Sequence, residues 1–248
     1  MDFSREAAIL LTDVGQARTE RRTIPTEPLD VDIGEAYLVQ AELGEGRELK
    51  GYKLGLLSPD KQAQMGINSP IYGRVYSDML LESPVKLNRF IQPRLEPEVA
   101  VVLDHDVTPD MSPEEARGAV GRAFLGVDFL DSVWEGYNFG ISDVVADNAS
   151  GGGFLLGDQP LSTPFDGELR LYLDGDLLTE GPLEALGDVG KRLSWLAGEI
   201  GWISEDMGVL EAGQVIFLGS PAASLEARPG TLELKGPGDS VLIAELED

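Results

Sequence analysis

The chain of 248 residues contains no cysteine and a single histidine. Without thiols, neither a disulfide framework nor a thiolate metal site can form. Cationic side chains are also scarce, with 19 Lys plus Arg against 44 Asp plus Glu and a formal net charge of −25. Such a surface repels polyphosphates and anionic bilayers, so nucleic acid and membranes are not expected as partners. Long apolar runs are missing as well. The longest fall far short of a bilayer span, and no basic-then-apolar opening marks a signal peptide, so a cytoplasmic protein is expected. No internal repeat and no low-complexity segment is present.

What remains is an ordinary globular composition, 42% hydrophobic and 25% charged, in a chain long enough to bury a real core. Residues 3–20 carry Phe3, Ala7, Ile9, Leu10, Val14 and Ala17 at helical spacing, and IGEAYLVQAELG closes a second helical pattern at Gly44. Past residue 51, short apolar runs alternate with turn signals: GYKLGLLS, SPVKL, EPEVAVVL, AFLGVDFLDS, GGGFLLG, LRLYLDG, QVIFLGS, TLELKG and SVLIAEL. Two further helices are expected in MSPEEARGAVGRAF and GKRLSWLAGEIGW. Many strands with few crossover helices predict an α+β, mostly β fold rather than a doubly wound sheet. The expected division is a helical N-terminal part over 1–70 and a strand-rich catalytic part over 71–248.

Three residue types sit where burial is expected and charge is not. In RLEPEVAVVL, Leu95, Pro97, Val99, Val101 and Leu103 share one strand face, which leaves Glu96 and Glu98 side by side on the other with Ala100 and Val102. Asp128 lies inside the apolar run AFLGVDFLDS. Lys53, in GYKLGLLS, is one of only six lysines. Each has a plainer explanation: an edge strand with a wet acidic face, a cap aspartate, a snorkelling lysine. Together they fit a hard divalent cation held by carboxylate oxygens, with a lysine offsetting the residual negative charge. The glycines of ASGGGFLLGD follow no strand–helix unit and lack a lysine–serine ending, so a dinucleotide cofactor is not expected; a tight turn at the site's edge is.

The runs GYKLGLLSPDKQAQMGINSPIYGRVYSDMLL, RFIQPRLEPEVAVVL, VDFLDS, DVVADNASGGGFLLG and LEAGQVIFLGSP span most of the chain and resemble the fumarylacetoacetate hydrolase superfamily. Within it the likeness is to the branch of 2-oxo-4-pentenoate hydratases and 4-oxalocrotonate (2-oxo-3-hexenedioate) decarboxylases. The resemblance implies a mixed β-roll fold with a helical N-terminal part. It also implies Mg2+ or Mn2+ bound by Glu96, Glu98 and Asp128, where this branch usually has Glu in the third place. Lys53 and Asp78 then correspond to catalytic positions, although the position beside Asp78 is Ser77, so no adjacent acidic pair is available. By the same likeness Ser58, Ser150, Gly219 and Ser220 are substrate-binding candidates.

The implied chemistry begins with a 2-oxo acid chelating the ion through its C1 carboxylate and C2 oxygen. A distal carboxylate placed as in a vinylogous β-keto acid is lost as CO2, leaving 2-hydroxypenta-2,4-dienoate, whereas a substrate without it adds water. The stretch DSVWEGYNFGISDVVADNAS is more similar to the decarboxylases, so decarboxylation is expected first and hydration second. Acylpyruvate hydrolysis ranks third because its histidine base has only His105 to supply it, in a polar turn. A non-catalytic role as partner of a related lyase conflicts with the retained acidic triad. Such enzymes associate with one another, so a homo-oligomer, or assembly with a related lyase, is expected.

The charge count carries its own consequence. Screening lengths fall from about 10 Å at 0.1 M salt to about 3 Å at 1 M, so added salt relieves the self-repulsion of so acidic a surface. The midpoint of thermal unfolding should therefore rise through molar KCl. A midpoint that is flat across that range removes salt adaptation as the reason for the composition.

Overall fold

The computed structural model describes residues 3–203 and 208–248. Helix α1 (Arg5–Glu20) starts where the Ser4 hydroxyl accepts the Ala7 N–H, and it buries Ala7, Leu10, Val14 and Ala17 as one stripe. Ile9 lies off that stripe and is exposed. Helix α2 (Ile33–Leu43), capped by Asp32, ends at Gly44 as its sequence signals. The short helices α3 (Pro59–Gln64), α4 (Pro113–Gly118) and α5 (Ile141–Ala146) lie in connections, and α6 (Val189–Ile203) is long and amphipathic. Among the described residues no helix is long and apolar enough to cross a membrane.

The strands are β1 (Leu49–Gly55), β2 (Ile71–Tyr76), β3 (Leu80–Leu81), β4 (Val85–Lys86), β5 (Arg94–Leu103), β6 (Val120–Leu130), β7 (Gly151–Pro160), β8 (Glu168–Leu173), β9 (Asp176–Pro182), β10 (Val215–Phe217), β11 (Leu225–Glu226), β12 (Gly230–Lys235) and β13 (Val241–Glu247). They form two sheets. The larger runs β2-β1-β10-β5-β6-β7-β3, with β11 also paired to β5; the smaller runs β4-β13-β12-β8-β9. This is the expected mixed, strand-rich architecture, with α1 and α2 forming a helical N-terminal part.

Two expectations need correction. β1 is an interior strand of the large sheet, flanked by β2 and β10, so a boundary at residue 70 cuts through the sheet. The helix expected across MSPEEARGAVGRAF ends at Gly118, and Val120 opens β6 opposite Leu103. Gly118 and Gly121 weaken helix propagation, and the apolar run that follows finds a partner strand instead. IYGRVY, not among the expected strands, is β2 and wholly buried. Its Arg74 breaks the apolar pattern but is satisfied internally, donating to the Gln40 side chain at 2.6 Å.

β5 divides the interior as its alternation predicts. Leu95, Val99, Val101 and Leu103 join the main core, while Ala100 packs with Val75, Tyr76, Met79, Phe154, Val215 and Phe217 in a smaller cluster on the opposite face. Glu96 and Glu98 stand on that second face. The strand is not an edge, yet it accommodates Pro97. On the side away from β6 it is paired only at Arg94–Leu95 and at Ala100–Val102. The carbonyls of Pro93 and Val99 both accept bonds on that side, so Pro97, of the same parity, turns its missing N–H into the gap. After Leu218 the chain leaves the ladder, and Ser220, Pro221, Ala222 and Ala223 wall the site.

Candidate metal centre

Strand register brings the acids together. Glu96 is the direct cross-strand partner of Asp128, and Glu98 that of Gly126. Carboxylate oxygens of Glu96, Glu98 and Asp128 all lie within 4.8 Å of one another, with Glu96 half-buried and the other two fully enclosed. Lys53 enters from β1, two strands away from β5, and its ammonium lies 2.8 Å from Asp128 Oδ2. The same ammonium donates to the Ala149 carbonyl at 3.0 Å. Gly73 faces Lys53 across the β1–β2 ladder, and a Cβ there would sit 2.4 Å from the Asn148 carbonyl oxygen. Only glycine lets the 147–150 turn approach Lys53 this closely.

Burial dominates the electrostatics. It pushes Asp128 up to about 6, with Lys53 pulling it back and Glu96 adding to the rise. Burial, and then the neighbouring Asp128 charge, holds Glu98 well above the usual carboxylate range. Burial also pulls the Lys53 ammonium down, but Asp128, Glu96 and Glu98 outweigh it and keep the group above its ordinary value. The surrounding carboxylates thus keep Lys53 charged.

The donor set fits a hard cation. Glu98 Oε1 and both Asp128 oxygens are buried without a directed hydrogen bond, although Asp128 Oδ2 has the Lys53 charge beside it. Glu98 Oε2 accepts the Gly219 N–H at 2.9 Å, which leaves Oε1 free. Gly219 holds φ +86, and a Cβ there would lie 2.6 Å from Leu57 Cδ1, so the close approach requires glycine. Glu98 Oε1 and Asp128 Oδ1, buried without donors beside the Glu96 carboxylate, are what an oxygen-coordinated divalent ion would satisfy.

Of the triad, Glu96 lines a pocket of about 420 Å³, whose other polar lining residues include Ser58, Lys61, Thr179, Glu180 and Ser220. Ser58 also caps α3 by accepting the Lys61 N–H, and the Ser220 hydroxyl accepts the Ala222 N–H. Gly219 is engaged with Glu98 and so orients that carboxylate. Ser150 is buried and its hydroxyl has no partner. Asp78 does not line this pocket. β2 carries the chain beyond Gly73 to the Ser77–Met79 turn, where Asp78 is exposed and gripped by Arg47 at 2.8 and 2.9 Å. Its assignment as a catalytic acid is corrected accordingly. A slightly larger cleft of about 460 Å³, bordered by Arg18, Arg47 and Asp147, contains none of the three acids. His105 is exposed beyond the opposite end of β5.

No family model matches the chain. Among characterised proteins, a 4-oxalocrotonate decarboxylase from Pseudomonas sp is 30% identical over 200 residues, covering 79% of this chain and 77% of the relative. The chain belongs to the 4-oxalocrotonate decarboxylase and 2-keto-4-pentenoate hydratase family. A 2-keto-4-pentenoate hydratase from Paraburkholderia phymatum is likewise 30% identical over 223 residues, with 83% of each chain covered. Among solved structures, the 4-oxalocrotonate decarboxylase of Pseudomonas putida G7, complexed with magnesium and adipate, superposes with a TM-score of 0.88 at 25% identity over 99% of both chains. Family membership makes the chain a metal-dependent lyase.

Glu98→Gln tests the triad directly. The variant keeps an acceptor for Gly219 but removes a ligand charge, so Mg2+ binding should weaken and turnover fall at least about a hundredfold. In chelator the same change should stabilise the fold at pH 7. A carboxyl whose pKa is raised by folding contributes stability below its unfolded pKa and loses it as pH rises through the folded value. The gain should therefore vanish as pH falls below the ordinary glutamate range. At about 2–4 °C per kcal/mol for a chain of this size, the midpoint should rise by a few degrees. A chelated variant no more stable than wild type at pH 7 would contradict a repulsive metal-free site.

Proposed function

We propose that the chain is a Mg2+- or Mn2+-dependent lyase acting on conjugated 2-oxo acids, with 4-oxalocrotonate (2-oxo-3-hexenedioate) decarboxylation as its first reading. The observation that carries it is the triad of Glu96, Glu98 and Asp128, whose Glu96 lines a pocket, with charged Lys53 bound to Asp128. The residues fit an ion held by these three carboxylates. When bound, it supplies Lewis-acid polarisation of a substrate's 2-oxo group. Hydration of 2-hydroxypenta-2,4-dienoate is the second reading, favoured by hydratase relatives as similar to the chain as the decarboxylase is.

In this reading the protein has three tasks. Glu98 is oriented by Gly219 and Asp128 by Lys53, so two of the three carboxylates are pre-set rather than recruited. Lys53, held as an ammonium, would donate a proton to the C2 oxygen as the distal carboxylate leaves as CO2 and its electron pair moves into the dienolate, giving the 2-hydroxydienoate product. Ser58 and Ser220, in the pocket lining, offer hydroxyls to the substrate's carboxylates, and the apolar walls from Leu54, Leu56 and Leu57 limit water. Assembly with itself or with a related lyase belongs to the same proposal and is read by light scattering. Acylpyruvate hydrolysis loses its support, because exposed His105 lies away from the triad.

Incubation with Mg2+ and either 2-oxo-3-hexenedioate or 2-hydroxypenta-2,4-dienoate, following CO2 release and dienol loss, separates the two readings. One of the two signals should appear and disappear on treatment with chelator. Turnover that persists undiminished after metal stripping would overturn the proposal.

A further inference from the structure

The turn that meets Lys53 is intrinsically unfavourable. Asn148, Ala149 and Ser150 have φ of 53°, 51° and 55° in succession. Left-handed backbone is unfavourable for L-residues other than glycine, so neighbouring structure must impose this conformation. Asn148 brackets Arg74 of β2, accepting its N–H at 2.7 Å and donating to its carbonyl at 2.8 Å. Asp147 is buried just before the turn. One of its oxygens accepts the Ser132 hydroxyl at 3.1 Å and the Val133 N–H at 3.0 Å. The other accepts Arg18 Nε at 2.8 Å.

Arg18 also reaches a second buried acid. Its Nη1 donates to Asp131 Oδ2 at 2.9 Å, and its Nη2 donates to the Asp131 carbonyl. Asp131 directly follows β6, three residues past Asp128. Its other oxygen accepts the N–H groups of Ile91 and Gln92 at 2.9 and 2.8 Å, on the approach to β5 and its glutamates. Its own N–H donates to the Ser150 carbonyl at 2.7 Å. One guanidinium from the N-terminal helix thus joins the turn behind Lys53, the exit of the Asp128 strand and the approach to the glutamate strand. A bidentate fork suits two carboxylates in a way that an ammonium does not.

We propose that Arg18 is a positioning residue for proton transfer: by clamping Asp147 and Asp131 it fixes the Ala149 carbonyl, and through it the direction of the Lys53 ammonium, without touching substrate. This rests on the reading of Lys53 as the proton carrier. Without the guanidinium, two buried carboxylates lose their shared cation, the turn relaxes, and Lys53 loses the Ala149 carbonyl and keeps Asp128 alone. The three metal-binding carboxylates keep their own strand pairing. The loss therefore falls on kcat and spares KM and metal affinity.

The test compares Arg18→Ala, Arg18→Lys and Lys53→Met with the wild type. Five quantities are read: kcat and KM on the substrate that is turned over, Mg2+ affinity by calorimetry, the thermal midpoint, and the NMR signal of the Lys53 ammonium. In Arg18→Ala, kcat should fall about tenfold or more while KM and Mg2+ affinity stay within about twofold. Arg18 borders the cleft of about 460 Å³ and is 29% exposed, so millimolar guanidinium can enter. It should restore several-fold activity without moving the midpoint relative to NaCl at equal ionic strength. If Arg18→Ala does not fold, Arg18→Lys decides, with at least about a fivefold loss of kcat and a shifted Lys53 signal expected. A folded variant with wild-type kcat and an unmoved Lys53 signal overturns the inference, as does an equal loss of metal affinity without rescue. If Lys53→Met is impaired while the Arg18 variants are normal, this inference alone fails. Unimpaired Lys53→Met removes the lysine reading as well.

Discussion

Glu96, Glu98 and Asp128 place three carboxylates within 4.8 Å of one another on the inward face of a sheet, two of them out of reach of water. At an effective dielectric of about 20, like charges at such separations repel by roughly 3 kcal/mol per pair. That is a large fraction of the 5–15 kcal/mol by which domains are typically stable. Lys53 offsets one charge and no more. The sheet thus tolerates an unfavourable cluster whose natural relief is a divalent cation, and the surrounding structure is organised around keeping that cluster in place. Gly219 fixes one glutamate, the β5–β6 register fixes Asp128 opposite the other, and the gap beside Pro97 frees Ser220, Pro221, Ala222 and Ala223 to form the pocket wall.

The same cluster explains why so much of the site was legible in the sequence. Period-2 alternation in RLEPEVAVVL puts both glutamates on one face, and the structure divides β5 between two cores along that alternation. Charged residues in otherwise apolar strands stand out because burial makes them costly, and Lys53 and Asp128 were visible on that ground alone. Other features were hidden because they depend on partners distant in sequence. Asp78 matched a motif, but its side chain is claimed by Arg47, from the connection between α2 and β1. Arg18 lies on a helix whose own pattern explains only its buried apolar stripe, and its partners are 113 and 129 residues away. Asp131 and Asp147 did appear in the quoted runs LDS and ADNAS, and nothing local distinguishes them from turn aspartates.

The fold was legible in kind and less so in its limits. Strand content and the terminal helices followed from periodicity and caps. The boundary near residue 70 failed because β1 joins the sheet through parallel pairing to β10, more than 150 residues later, which no local signal encodes. The expected helix ran past the end of α4 (Pro113–Gly118) because its continuation is apolar in either conformation, and only the partner β5 decides for strand. The N-terminal helices are consequently less separate than their composition implies: through Arg18 and Gln40 they reach the structure that carries the site.

The central claim is that these three carboxylates, and not the larger arginine-bordered cleft, hold a divalent ion. Anomalous diffraction from crystals grown with Mn2+ tests it most directly. One strong peak is expected about 2.0–2.5 Å from oxygens of Glu96, Glu98 and Asp128, absent from crystals of the Glu98→Gln variant. A peak elsewhere with the triad empty would contradict it.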